Sequence, residues 1–459
     1  MTETQFQEEA AGQRWYRTVW RWHFYAGLFC IPFVLWLATT GSIYLFKPQI
    51  EALIDRPYDN LAVSGERATA AAQVRAALAA VPGANFRAYE LPKTPESAIR
   101  VIVGRKRELT RVYVNPATLQ VLKTVPEEDR LMRVIFKLHG ELLWGDRGSL
   151  IVELAASWAV VMILTGLYLW WPRRAAGLAG ILYPRLRQGG RVFWRDLHAV
   201  TGVWVSAFAL FILLSGLPWA KSWGSYLKDV RQVTGMAVTH QDWSIGSTAL
   251  VDEMGGMPDM PGMAMDRAPP PPAADYGAID RMVATVAPLN LAYPVLISPP
   301  KKAGAEWTAK SDAQNRTLRT DLVLDGRTGA IVSRVDFDQR LPVDRVVAVG
   351  VAAHEGQLFG WPNQLISLLT AMGLVLMSIS AVILWWRRRA VGVLGAPLAP
   401  RSRPRSLGFA AAIVGLCLLL PLLGISMIVV MILEKLVLER IPGVRRWLGL
   451  REGPVLARA

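Results

Sequence analysis

Five apolar blocks, each long enough to cross a bilayer, constrain this chain more than any other feature of its sequence. They occupy residues 22–46, 150–171, 199–219, 364–386 and 407–433. An α-helix rises 1.5 Å per residue, so ~20 apolar residues cross the ~30 Å hydrocarbon layer. Hydrophobic residues make up 52% of the sequence and charged residues only 19%, the balance an embedded chain requires.

A formal net charge of +15 raises the question of nucleic acid, and the placement of the charge answers it. Arg14, Arg17 and Arg21 precede the first block. Arg173, Arg174, Arg185, Arg187, Arg191 and Arg195 fall between the second and third, and Arg387, Arg388, Arg389, Arg401, Arg403 and Arg405 between the fourth and fifth. Short arginine-rich loops mark the cytoplasmic side, so the two long connections face the other compartment. No aromatic-interleaved basic stripe points to nucleic acid. The first block is too long for the core of a cleavable signal and has no small-x-small site at its end, so it reads as a retained anchor. Cys30 and Cys417 both fall inside apolar blocks. The exported segments therefore lack a disulfide, and there is no Cys-x-x-Cys-His site for covalent haem. The expected address is a bacterial-type inner membrane, with the N-terminus cytoplasmic and the large loops periplasmic.

The sequence also matches itself. HFYAGLFCIPFVLWLATTG begins at His23 and HAVTGVWVSAFALFILLSG at His198; each has Gly four residues on (Gly27, Gly202) and again eighteen on (Gly41, Gly216). Eighteen residues are five helical turns, so each His and its distal Gly share one face, smooth enough for a flat macrocycle. HGELLWG begins at His139 and HEGQLFG at His354, and thirty-one residues lead from each His to a Trp pair, Trp170-Trp171 and Trp385-Trp386. A duplicated two-helix unit follows, at roughly 15–175 and 190–390.

The chain accordingly divides into a cytoplasmic N-terminus (1–21) and spans at 22–46, 149–171, 198–219, 363–386 and 407–433. Exported domains occupy 47–148 and 220–362, basic cytoplasmic loops 172–197 and 387–406, and a tail 434–459. The fifth span has no counterpart and is expected to leave the C-terminus outside. Each exported domain reads as a small α+β unit, one helix on a short antiparallel sheet. In the first, a helix over 68–80 precedes strands over 98–103, 111–114 and 119–125. In the second, a helix over 280–287 precedes strands over 318–324 and 330–335, joined by the turn Asp325-Gly326-Arg327-Thr328-Gly329.

With Trp20-Arg21-Trp22-His23 and Gly27, the Pro48-Gln49-Ile50-Glu51 exit, Leu138-His139-Gly140 and Trp170-Trp171-Pro172-Arg173, the chain resembles the PepSY-associated transmembrane family. These are iron-regulated membrane proteins that include siderophore reductases of the inner membrane. The resemblance covers about residues 15–390 and implies PepSY-like exported domains. It also implies a di-haem protein that passes electrons across the membrane to a ferric chelate. The second copy departs from the first at Arg387, in place of Pro172, and at Glu355-Gly356, in place of Gly140-Glu141. PepSY-like domains also serve inhibitory and regulatory roles, so the likeness does not by itself fix an activity.

The topology sorts the histidines into two pairs of matching positions, His23 with His198 at the cytoplasmic face and His139 with His354 at the exported face. A six-coordinate haem iron takes two axial ligands, and neutral imidazole serves well. The expectation is two b-type haems, with all four histidines as iron ligands, forming an electron path through the apolar layer. A single interfacial histidine is usually only a polar residue at a boundary; four of five at matching positions are harder to read so. His240 has no match and reads as a loop residue. Zinc or di-iron is a weaker alternative, because each face lacks the usual ligand count, although Glu141 and Glu355 lie near. Arg21 and Arg195 are candidates for haem propionates or simply for lipid headgroups.

Met254, Met257, Met260, Met263 and Met265 sit in a Gly/Pro-rich stretch ahead of Pro269–Pro272. Thioethers favour Cu(I), which makes Met257, Met260 and Met263 candidate copper contacts; such segments are also common as plain linkers. No dinucleotide or nucleotide-phosphate fingerprint appears, and the cytoplasmic loops are too short for a flavin or nicotinamide domain. The reductant must be a separate cytoplasmic protein or a quinol. The catalytic residues are not legible. The sequence thus points to a di-haem transmembrane oxidoreductase whose acceptor is a ferric siderophore or another metal chelate. The alternatives are a non-redox PepSY binding or regulatory protein and a copper-handling protein. A transporter is disfavoured by the absence of acidic residues in mid-span.

Overall fold

The computed structural model describes residues 3–106, 108–172, 177–234, 276–300, 305–397 and 406–450 of the chain. The elements, in order, are α1 (Glu3–Leu45), α2 (Lys47–Asp59), α3 (Ala70–Ala80), β1 (Asn85–Glu90), β2 (Ile99–Arg105), β3 (Glu108–Val114) and β4 (Val121–Pro126). Then come α4 (Leu131–Glu141), α5 (Gly145–Trp170), α6 (Gly190–Gly216), α7 (Lys221–Val233) and α8 (Ala278–Val286). Next are β5 (Val295–Ser298), β6 (Trp307–Ser311), β7 (Thr320–Leu324), β8 (Ile331–Asp336), α9 (Pro342–His354) and α10 (Trp361–Arg388). The chain closes with α11 (Leu407–Leu419), α12 (Pro421–Leu436) and α13 (Pro442–Leu448). Two compact units form: a helical one from Met1–Ser42, Lys137–Ala237 and Leu365–Ala459, and one from Ile43–Phe136 and Val238–Gln364 that holds every described strand.

Among the described residues, five helices are long and apolar enough to cross a membrane: Gln13–Leu45, Gly145–Trp170, Gly190–Trp219, Trp361–Arg388 and Pro421–Arg440. The protein is a polytopic helical membrane protein with an added strand-rich unit. The first four helices agree with the apolar blocks to within a few residues at most ends, the first and third each starting nine residues earlier. The fifth does not. The block at 407–433 is broken at Pro421, which lacks an N–H and whose ring clashes with the carbonyl four residues back. Leu420 leaves the helical region there (φ −126°, ψ 78°), and the two arms fold back until Cys417 Sγ lies 4.0 Å from Met427 Sδ.

The fold-back brings the C-terminal helix to the segment that precedes α11. After α12, the backbone of α13 meets the segment that precedes α11: Leu394 N donates to Trp447 O at 2.9 Å. Arg21 Nη1 on α1 donates to Pro397 O (2.6 Å) and Gly449 O (3.0 Å), and Tyr25 donates to Leu448 O. The C-terminal helix therefore lies on the side of the basic 387–397 loop. One acidic side chain is buried near the start of a span. Glu153, inside the span Gly145–Trp170, is 2% exposed and accepts from Ser222 N (2.9 Å) and Trp223 N (3.2 Å). Its charge caps the positive end of α7, a structural use of a buried carboxylate.

In the strand-rich unit the eight strands form one antiparallel sheet, ordered β4-β3-β2-β1-β5-β6-β7-β8. The two predicted sheets are thus halves of one, joined where Tyr89 pairs with Ile297 and Glu90 with Leu296. β1, β5 and β6 were not among the expected strands. Both outer hairpins turn on an Asx residue: Asn115 Oδ1 accepts from the backbone of Ala117 and Thr118, and Asp325 Oδ1 from Arg327 and Thr328.

Side chains alternate across a strand, and the alternation here builds two buried faces. Val101, Val103, Val112, Val114, Ile297, Leu322 and Leu324 form one apolar core with α3 and α8. Arg100, Arg111 and Glu90 emerge on the other face with Ala88, Ile102 and Leu296. Arg100 Nη2 reaches Asp59 (2.7 Å) and Asp55 (3.3 Å) on α2. Arg111 sits between Glu90 and Glu127, and Arg130 bridges Glu127 (3.2 Å) to Glu51 (3.0 Å). Burial alone would raise the Glu127 carboxyl; the Arg111 and Arg130 guanidiniums outweigh it and hold it down at about 2.

Two outcomes are expected. A reporter placed at the C-terminus should label from the same membrane side as one placed at residues 390–396; labelling from opposite sides would mean that α11 and α12 do not fold back. Because the folded pKa of Glu127 is depressed, its contribution is complete above the unfolded carboxylate value and lost as pH falls toward about 2. The stability gap between wild type and Glu127→Gln should therefore be on the order of 3 kcal/mol at pH 7. Denaturation series should show it closing between about pH 4.5 and pH 2.

Candidate functional site

α1 carries two features on one face of the helical unit, His23 and, five turns away, Gly41. His23 meets His198 of α6, with ring centroids 6.3 Å apart and ring planes at 78°. Each ring is fixed by the span beside it. His23 Nδ1 lies 2.9 Å from Met162 O and 3.2 Å from Thr165 Oγ1 on α5. His198 Nδ1 lies 3.0 Å from Met377 O and 3.2 Å from Ser380 Oγ on α10. A carbonyl only accepts, so Nδ1 is the protonated nitrogen of both rings and Nε2 keeps a lone pair.

Small residues make this packing possible. A Cβ at Gly166 of α5 would stand 3.0 Å from His23 Cε1, so a larger residue there pushes the ring aside. The expected smooth face on α1 and α6 meets protein instead: the neighbour of Gly27 is Met162, and that of Gly202 is Met377. At the distal glycine the neighbour is His139, whose Cε1 would lie 3.1 Å from a Cβ at Gly41. His139 Nδ1 is 3.0 Å from Thr40 Oγ1. That hydroxyl also lies 2.9 Å from Trp36 O, which ties the ring to α1.

His139 belongs to the helical unit and His354, the last residue of α9, to the strand-rich unit. Each stands in its own setting, and Glu355, beside His354, is committed to Arg316 at 2.6 Å with both groups buried. Arg21 and Arg195, candidates for propionates, also have protein partners: two backbone carbonyls for Arg21 and Asp196 (2.8 Å) for Arg195. Among the described residues no three His, Cys, Asp or Glu groups converge as metal ligands, so the zinc or di-iron alternative lacks a ligand set there. Met257, Met260, Met263 and His240 lie outside the described residues.

The orienting residues Met162, Thr165, Met377 and Ser380 were not picked out from the sequence. The signal was present. Thr165 and Ser380 each lie twenty-six residues after His139 and His354, so both hydroxyls stand at the same distance along the chain from a histidine.

The strand-rich unit holds a cavity of about 490 Å³ on the charged face of the sheet, lined by Lys47, Arg100, Arg111, Tyr293 and Gln314 among others. Tyr293 donates to Glu90; burial and the Glu90 charge raise its hydroxyl pKa far above the ordinary value. The tyrosine remains a neutral donor. Tyr113, also buried, is pushed up to about 12 despite the nearby Arg111 charge.

No curated protein matches the chain. The family model described as the PepSY-associated TM region matches residues 20–388, from the tryptophan three residues before His23 to the arginine that ends α10. The protein belongs to the PepSY-associated transmembrane family.

Proposed function

We propose that the chain is a b-type di-haem oxidoreductase of the bacterial inner membrane, built by internal duplication. It would pass electrons to an oxidised metal chelate, most naturally a ferric siderophore, at the exported strand-rich unit. The observation that carries this reading is the His23–His198 pair. Imidazole nitrogens hold a metal at ~2.0 Å, so two on opposite sides of one ion set their ring centroids about 6 Å apart. The observed 6.3 Å fits a single iron between them, and the Nδ1–H···O=C bonds aim the lone-pair nitrogen away from the helix backbone.

His23 and His198 would hold one haem, and His139 would contribute a ligand to the second. When bound, haem would supply reversible one-electron chemistry. Every other task falls to the chain. The carbonyls of Met162 and Met377 fix the rings, Thr40 fixes His139, and the apolar spans exclude water. Along α1, His23 and the seat of His139 at Gly41 are roughly 27 Å apart, which suits one site near each membrane face. Ferric chelates are the favoured acceptors because Fe(III) is harder than Fe(II) and binds oxygen ligands more tightly, so reduction loosens the complex. The electron would come from a quinol or a separate cytoplasmic reductant. A non-redox binding role accounts for the cavity but leaves the paired imidazoles without a use.

Protein purified from haem-replete cells should give a b-type spectrum that sharpens on dithionite reduction. Either His23→Ala or His198→Ala should remove about half the haem. A colourless wild type, or single substitutions that leave the spectrum unchanged, would end the reading. Gly166→Leu should act through the same site. Overpacking costs ~1–3 kcal/mol, and the displaced His23 should lower haem content, whereas Gly140→Leu, with open space at its Cβ, should retain it.

A further inference from the structure

We infer that the cavity in the strand-rich unit is a binding site for an oxygen-rich anionic ligand of the carboxylate class, received by Arg100 and Gln314. This names the ligand shell of the acceptor proposed above, and rests on that reading only for the identity of the metal. The volume of about 490 Å³ lies within the range of small-molecule sites.

The argument is one of unsatisfied donors. Arg100 is 2% exposed and lines the cavity. Only its Nη2 donates, to Asp59 and Asp55. Nε and Nη1 have no hydrogen-bond partner among the described residues; the nearest carboxylate to Nε, Glu90, stands at 3.9 Å. Glu90 already receives Arg111 and Tyr293. Gln314, also on the lining, has a buried Nε2 in the same condition. Buried N–H groups are ordinarily paired, so the cavity lacks acceptors.

The lining carboxylates do not compete for the role of host. Glu51 and Glu127 are paired with Arg130, Asp312 with Arg319, and Asp55 and Asp59 with Arg100. No lining carboxylate appears among the buried atoms that lack a partner. The unmet demand is for oxygen acceptors, and a guanidinium is the side chain best suited to carboxylate-type oxygens.

Calorimetric titration of the full-length protein with gallium(III) citrate, a redox-inert stand-in for a ferric chelate, tests this directly. Saturable binding is expected. Arg100→Lys and Gln314→Leu should each weaken it tenfold or more; the second leaves every mapped ion pair intact, so an unchanged melting temperature separates loss of binding from loss of fold. Comparable binding of metal-free citrate supports the same site. If neither citrate probe binds, or if both variants bind like wild type, the inference fails. Uptake of phosphatidylglycerol alone, with neither citrate probe bound, would assign the donors to lipid and also overturn it. A colourless protein that binds gallium citrate sinks the electron-transfer reading and keeps this one; a haem-loaded protein that ignores citrate does the reverse.

Discussion

The hydrogen bond from a histidine Nδ1 to the backbone carbonyl of the adjacent span is the interaction on which the helical unit's chemistry depends. Without it an imidazole rotates about two bonds and either nitrogen can carry the proton. With it, one tautomer and one ring direction are chosen, and the Nε2 lone pair is held in a fixed direction. The unit makes this bond at Met162 and at Met377, each time with a hydroxyl one turn further on, Thr165 or Ser380. Two matching supports produce two matching rings, and their separation is what a shared metal ion would need.

The strand-rich unit solves a different problem, which is how to keep charge on a buried face. Strand alternation places Val101 and Val112 in the apolar core and therefore sends Arg100 and Arg111 to the opposite side. Taking guanidiniums out of water is costly unless they are paired. Arg111 is satisfied from both sides by Glu90 and Glu127, and behaves as structure. Arg100 is satisfied on one nitrogen only. The contrast between two arginines on neighbouring strands separates the group that holds the fold from the group that remains open to a ligand.

Much of this was legible in the residues themselves, and the parts that were not share a cause. The first four spans follow from hydropathy, the histidine positions from the repeated spacing, and the Asp325 turn from its side-chain chemistry, all of them local signals. The joining of two sheets through Tyr89 and Ile297 is non-local, between residues more than two hundred apart, and no window of sequence reports it. The fold-back at Pro421 was local and still missed, because continuous apolarity over 407–433 outweighed one proline. Hydropathy measures what a segment is dissolved in, not whether it crosses. Glu153 was missed for a related reason: near the end of an apolar run it looks like a boundary charge, and only the position of α7 reveals it as a cap.

The face of α1 that carries His23 also carries the small residue against which His139 rests, because eighteen residues return to the same azimuth. A glycine at that distance was expected to leave room for a flat cofactor. It leaves room for the His139 ring, whose Cε1 is 3.1 Å from where a Cβ would stand. The spacing therefore seats the His23 ring and the resting place of the His139 ring on one face of α1, eighteen residues apart, and the helix fixes the distance between them. An electron path across a membrane needs that kind of fixed interval. A binding module anchored by its spans would have no reason to keep it.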